Sequence, residues 1–257
     1  MIKAIFLDFD GTLFSHVSDM IPDSTLTAIN KCRENGVKVF ICTGRAKREM
    51  TWFDLRGITF DGMILSNGQV ILDENENVLY ENPIQGELLK RMEKIFYDRK
   101  QAIYFISNDD IYLNVRNDTV VRVQQAVGSE VPEVKEYHGE PIIMASAFFD
   151  NEEEKEELMS LKDMAEVTLW HQGAVDIVAK GSTKSSGIDI ICKEYGIDPK
   201  DTIGFGDGEN DIPMLNKCGL GIAMGNATDE LKEFADYITD SVDEDGIYNA
   251  LIKYNVI

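Results

Sequence analysis

The chain has 257 residues, room for one large domain or a core domain with a smaller attachment. Its hydrophobic share of 44% is ordinary for a globular protein, so a sizeable core can form. Acidic residues outnumber basic ones, 46 to 25, for a formal net charge of −21. Such a surface repels nucleic-acid backbones and anionic headgroups, and no Lys/Arg cluster interrupts it. We therefore expect no nucleic-acid partner and no membrane partner. The four cysteines, Cys32, Cys42, Cys192 and Cys218, show no C-x-x-C spacing. Read as reduced thiols, they lead us to expect a cytoplasmic protein. The apolar start at residues 4–7 is too short for a signal peptide, and no stretch is long enough to span a bilayer.

In chain order, residues 2–7 form a continuous apolar run, the pattern of a strand covered on both faces. Residues 24–35 read as a helix bounded by Ser24 and Gly36. Residues 37–42 read as a buried strand, 45–55 as a second helix and 63–65 as a third strand. This alternation predicts a parallel sheet flanked by helices. The middle of the chain differs. Helices at 88–97, 119–127 and 152–161 separate strands at 102–107, 111–115, 141–149, 166–170 and 175–179, an antiparallel α+β pattern. The run Glu152–Glu157 reads as a solvated first helical turn, not a metal site. From residue 184 the parallel pattern returns, with helices at 186–195, 212–216 and 229–234 and strands at 202–205 and 219–223. The reading is thus a Rossmann-like α/β core, residues 1–82 plus 183–257, interrupted by an inserted α+β module at 83–182.

Four motifs end core strands, the rim where open parallel sheets bind ligands. In Asp8-Phe9-Asp10-Gly11-Thr12 the two aspartates share one face of a strand. Two close carboxylates repel, so one can stay ionised as nucleophile while the other holds a proton as general acid. A plain acidic turn is the bland alternative. Ile41-Cys42-Thr43-Gly44-Arg45 runs from strand into helix, where a hydroxyl and free N–H groups can cradle phosphate. Thr43 as a simple helix cap is equally compatible. In Ser182-Thr183-Lys184-Ser185-Ser186-Gly187 the spacing of a nucleotide-binding loop is absent, but Lys184 can neutralise a phosphate oxygen. Gly206-Asp207-Gly208-Glu209-Asn210-Asp211 offers oxygen ligands of the kind that suit Mg²⁺.

Together, DFDGT, ICTGR, STKSSG and GDGEND resemble the haloacid dehalogenase superfamily, specifically its Cof-type phosphatases with a type IIB cap. The order of the inserted elements is similar to that cap as well, so the resemblance spans the chain. It implies hydrolysis of a small-molecule phosphomonoester through an aspartyl phosphate on Asp8, with Asp10 as general acid and base. It further implies Mg²⁺ held by Asp8, Asp10 (through its carbonyl), Asp207 and Asp211. Phosphate contacts would come from Phe9, Thr43, Gly44, Lys184 and Asn210. A sugar phosphate is the first expectation for the substrate, a small phosphorylated metabolite; pyridoxal phosphate and flavin mononucleotide follow. Arg45, Asp176 and His171 are candidate substrate contacts. His16 and His138 read as surface or structural histidines, and Trp170 and Tyr112 as packing residues. Two rivals stand beside this reading. A phosphomutase would need a cluster of cap arginines, whereas Arg91, Arg99, Arg116 and Arg122 are scattered. A non-catalytic phosphate switch would not need Asp10 beside Asp8.

Overall fold

A computed structural model describes residues 1–108 and 110–257. The chain divides into two units, one made of Met1–Arg45, Thr51–Tyr80 and Thr183–Ile257, the other of Ala46–Met50 and Glu81–Ser182.

The first unit is organised by strand β1 (Ala4–Leu7), whose four residues are all buried. It runs parallel to β2 (Lys38–Cys42) on one side and β11 (Thr202–Gly206) on the other, Leu7 standing beside both Ile41 and Phe205. Apolar side chains on both faces are what a strand covered by helices requires. Helix α1 (Asp23–Glu34) buries Thr25, Ala28, Ile29 and Cys32, one stripe at helical spacing. Next along the chain come the short helix α2 (Lys47–Met50), which belongs to the second unit, and strands β3 (Gly62–Leu65), β4 (Val70–Asp73) and β5 (Val78–Glu81).

The second unit comprises α3 (Gly86–Asp98), β6 (Ile103–Ile106), β7 (Ile111–Leu113), α4 (Asp118–Ala126), β8 (Met144–Phe148), α5 (Glu152–Met159), β9 (Ala165–His171) and β10 (Ala174–Ala179). Its sheet runs β7-β6-β8-β10-β9, with every pairing antiparallel. Leu88, Met92 and Phe96, spaced four apart on α3, pack with Phe105, Ala145, Val175 and Ile177 in one cluster, to which Tyr112 also belongs. Asn151 caps α5 by accepting the Glu154 N–H at 3.0 Å, leaving the acidic first turn in solvent.

The chain then returns through α6 (Lys184–Tyr195), α7 (Ile212–Lys217), β12 (Leu220–Ala223), α8 (Asp229–Lys232), β13 (Tyr237–Ile238) and α9 (Gly246–Lys253). The completed sheet has the order β13-β12-β11-β1-β2-β3-β4-β5. It is parallel from β13 through β3 and turns antiparallel at β4. All four cysteines are free and buried. No helix among the described residues is long and apolar enough to cross a membrane.

Several elements differ from the sequence reading. The helix expected at 45–55 is cut to Lys47–Met50. Beyond it Phe53 is needed elsewhere, edge-on against Phe9 and Phe14 with centroids 5.0 and 5.1 Å away. The strand expected at 141–149 is confined to Met144–Phe148. Strands β4, β5 and β13 and helix α9 were not anticipated.

Candidate active site

Four loops leave the C-terminal ends of adjacent strands. Asp8 follows β1, Thr43 follows β2, Ser66 follows β3 and Asp207 follows β11, and these strands are neighbours in the order β11-β1-β2-β3. Residues far apart in the chain therefore meet at one rim.

Lys184 reaches that rim from the first turn of α6. Thr183 Oγ1 accepts the Ser186 N–H at 3.1 Å and Ser186 Oγ accepts the Thr183 N–H at 3.0 Å, a reciprocal cap that fixes where the helix begins. The Lys184 ammonium is fully buried and donates to Asp8 Oδ1 and Asp211 Oδ1, both at 2.5 Å. Burial alone lowers a lysine pKa, but Asp211 and Asp8 outweigh it and hold the charge above the usual lysine range.

Asp8, Asp207 and Asp211 each offer a carboxylate oxygen, and these lie within 4.8 Å of one another. Asp211 Oδ2 accepts the N–H groups of Asp207 and Gly208, both at 3.0 Å, so the loop folds around its own acid. Thr12 Oγ1 donates to Asp207 Oδ1 at 3.1 Å. Gly11, at φ +75°, lets the first loop approach, since a methyl group there would lie 2.3 Å from Asp207 Oδ2. One ammonium does not neutralise three acids. Burial, then the Asp211 charge, raises Asp8 well above the usual carboxylate range, and the same causes push Asp207 to about 7. Crowded oxygen donors short of positive charge fit a divalent cation.

Asp10 has partners of its own, although its charge still acts on Asp8 and Asp207. Its carboxylate accepts from Arg45 Nε and Nη2, both at 2.7 Å, and pairs with His16 Nε2 at 2.8 Å. Burial would raise its pKa, but the His16 and Arg45 hydrogen bonds prevail and hold it at about 2. The expected division has Asp10 as the protonated partner, whereas Arg45 and His16 favour its anion. Arg45 is itself fixed over the Phe53 ring, its guanidinium carbon 4.4 Å from the centroid.

Thr43 is buried, and its Oγ1 accepts the Arg45 N–H at 3.1 Å, curling the loop so that Gly44 sits at its tip. Asn210 Nδ2 donates to Asn67 Oδ1 at 3.2 Å. Phe9 is buried in the aromatic cluster with Phe14 and Phe53. The remaining candidates belong to the second unit. Asp176 stands beside Ser146 across β8–β10 and accepts its hydroxyl at 2.5 Å. Ser146 in turn stands beside Tyr104, so the three form one polar row. His171 Nδ1 accepts the Gly173 N–H at 3.1 Å and so closes the β9–β10 turn. Arg99 pairs with Glu136, and Arg122 with Asp150 at 2.7 Å.

Three features of this rim escaped the sequence reading. His16 is exposed, in keeping with the surface or structural role expected, but its pairing with Asp10 was not foreseen. Asn226 donates to the Gly11 carbonyl at 2.8 Å and accepts the Val242 N–H at 2.9 Å, tying two site loops together. The Ser66-Asn67-Gly68 loop is buried with all three residues at positive φ, 49°, 54° and 92°. A methyl group on Gly68 would lie 2.2 Å from the Thr183 carbonyl oxygen. We expect Gly68→Ala to cost at least about 2 kcal/mol, from the clash and the left-handed backbone together. Thermal or urea unfolding measures it, and an unchanged midpoint would contradict the tight loop contact.

A mostly parallel sheet bearing a lysine-bridged acidic cluster at its carboxyl rim defines a hydrolase of the haloacid dehalogenase type. A family model described as haloacid dehalogenase-like hydrolase matches residues 5–251. YkrA of Bacillus subtilis (strain 168), a phosphatase by name, is 34% identical over 99% of this chain and 98% of its own length. From the same organism, 5-amino-6-(5-phospho-D-ribitylamino)uracil phosphatase YcsE is 31% identical over 97% and 94%. Among solved structures, BT1666 from Bacteroides thetaiotaomicron, a phosphatase of the superfamily, superposes with a TM-score of 0.90 at 30% identity, covering 100% of this chain and 96% of that one. The subclass IIB sugar phosphatase BT4131 gives 0.87 at 32% identity, covering 99% and 100%. The chain belongs to the haloacid dehalogenase-like hydrolases and groups with the phosphatases among them.

Proposed function

We propose that this protein hydrolyses a small phosphomonoester, a sugar phosphate before other metabolites, through a phosphorylated Asp8. The supporting observation is the contact of Asp8 with Lys184 at 2.5 Å beside Asp207 and Asp211. Asp8 attacks phosphorus, and the bond to the ester oxygen breaks as the leaving alcohol gains a proton from Asp10. Water then attacks the aspartyl phosphate, giving its proton to Asp10 and freeing inorganic phosphate. Arg45 and His16 favour the Asp10 anion, the form required in this second step, so proton delivery in the first step requires them to loosen. Lys184, Thr43 and the Gly44 N–H hold the phosphate oxygens, because phosphoryl transfer depends on positioning and charge neutralisation. Phe9 contributes through its backbone, and Asn210 through its amide. Asp8, Asp207, Asp211 and the Asp10 carbonyl would hold Mg²⁺, which supplies charge neutralisation at the transferring phosphoryl group. Substrate selection belongs to the second unit, where Asp176 in its polar row is the stronger candidate; His171 already serves a turn.

A panel of phosphomonoesters with Mg²⁺, ranked by kcat/KM, tests this reading. Release of phosphate from several sugar phosphates is expected. No turnover of any member would leave a phosphate-binding switch, and activity that depends on an added bisphosphate would indicate a mutase. Replacing Arg45 by methionine, which keeps a stem over Phe53, should lower kcat by roughly 10²-fold and move the Asp10 limb of the pH–rate profile upward. An unmoved profile with full activity would remove Arg45 from the reaction.

A further inference from the structure

The Ser66-Asn67-Gly68 loop has no part in the reaction described above, yet its geometry is demanding. Two consecutive non-glycine residues are held in the left-handed region, a conformation that survives only where surrounding contacts enforce it. The contacts are identifiable. Ser66 N–H donates to the Arg45 carbonyl at 2.9 Å and Asn67 N–H to the Thr43 carbonyl at 3.0 Å. On the other side Gly68 presses on the Thr183 carbonyl. The loop is therefore clamped between the segments that carry Thr43 and Lys184.

What the clamp presents is the Asn67 carboxamide. A methyl group on Gly44 would lie 3.3 Å from both Asn67 Oδ1 and Nδ2, so the amide lies against the tip of the Thr43 loop. Its Oδ1 accepts from Asn210. That bond fixes the amide orientation and leaves Nδ2, with two N–H donors, unpaired among the described residues although Asn67 is only 6% exposed. The hydroxyl of Ser66, the preceding residue in the chain, is buried and lacks a partner among the described residues. Donors held in place without acceptors, beside a cluster of acids, suit an incoming anion rich in acceptor oxygens.

We infer that Asn67 is a phosphate-binding residue, Nδ2 donating to a non-bridging phosphoryl oxygen while Oδ1 aims Asn210 at the same group. This rests on the phosphatase reading through Thr43, Gly44 and Asn210, and extends it to a residue outside the four motifs. Neutral donors matter here because the surrounding carboxylates oppose an anion, and Lys184 is shared between two of them.

Two substitutions separate binding from folding. Asn67→Asp keeps the shape and tolerates the left-handed backbone, but replaces the donors with a charged acceptor. Asn67→Gly removes the carboxamide and relieves the backbone. Inhibition by orthovanadate and by inorganic phosphate, kcat, KM and the melting temperature are measured for each. For Asn67→Asp we expect the inhibition constants to rise by roughly 10²-fold, with kcat/KM falling comparably. For Asn67→Gly we expect roughly a tenfold loss with a melting temperature equal or higher. Unchanged vanadate inhibition in a folded Asn67→Asp protein overturns the inference. Should that variant fail to fold, unchanged inhibition in Asn67→Gly overturns it equally. Turnover that survives Asp8→Asn defeats the parent reading instead, so the two failures are distinguishable.

Discussion

Replacing Asp8 with asparagine should abolish turnover, by at least about 10⁴-fold, while leaving the metal-free protein as stable as before or more so. Loss of activity follows because an amide neither attacks phosphorus effectively nor carries the resulting acyl phosphate. The stability effect has a separate origin. Burial and Asp211 raise the Asp8 pKa well above the ordinary range despite Lys184, so its ionised form is unfavourable where it stands. Asparagine removes that charge, keeps an oxygen for the Lys184 ammonium, and leaves Lys184 its bond to Asp211. Activity and metal-free melting temperature are thus expected to move in opposite directions. A variant that loses both together would show Asp8 to be a structural member of the core, and a variant that keeps its turnover would remove it as nucleophile.

Magnesium should raise the melting temperature, and the rise should grow between about pH 5 and pH 8. A carboxyl with a raised folded pKa contributes stability below its unfolded value, about 4, and loses it as pH climbs through the folded value. For Asp207 that folded value is about 7, so the metal-free protein weakens across this window, with Asp8 acting in the same direction. A cation among the three acids removes the repulsion and displaces protons, so its advantage is larger at the alkaline end. At about 100 times its Kd a ligand adds about 2.7 kcal/mol. For a chain of this size that corresponds to roughly 5–10 °C in Tm. Scanning calorimetry with and without millimolar Mg²⁺ at the two pH values measures both effects. An equal shift at both, or none, would argue against cation binding by Asp8, Asp207 and Asp211.

Three of the motifs were legible because each sits where an apolar core strand ends, and adjacent strands deliver such ends to one rim; the fourth, expected to do the same, instead follows β10 of the other sheet and brings Lys184 to the rim on α6. The meeting of Asp8 with Asp207 and Asp211 was therefore open to a reading of residue type and position, while the roles proposed for them and for Lys184 came from the family resemblance. Asn67 was not legible, because Ser-Asn-Gly reads locally as a turn. Its placement depends on Arg45, Thr43 and Thr183, contacts that no local pattern announces. Asn226 lies outside any motif, and His16 is a lone histidine whose partner emerges only when the loop folds back. The partners of Asp10 were not legible for the same reason. Repulsion from Asp8 was visible, whereas the two bonds from Arg45 and the one from His16 belong to tertiary structure. Among the elements, β5 was missed because its residues alternate between exposed and half-buried, too weakly apolar to register as a strand. Helix α2 was overdrawn because Phe53 suits a helical stripe but is claimed by Phe9 and Phe14.

Asn82 and Ser182, a hundred positions apart in the chain, touch through a side-chain hydrogen bond of 3.1 Å. Entry to and exit from the intervening stretch thus lie side by side, and that stretch has a hydrophobic cluster of its own. Grafting a foreign sequence between these two points would demand only that its own ends meet, with no rewiring of the reactive rim. An insert joined in this way can be exchanged as a cassette, and on the function proposed above such an exchange would alter selectivity while sparing the bond-breaking machinery.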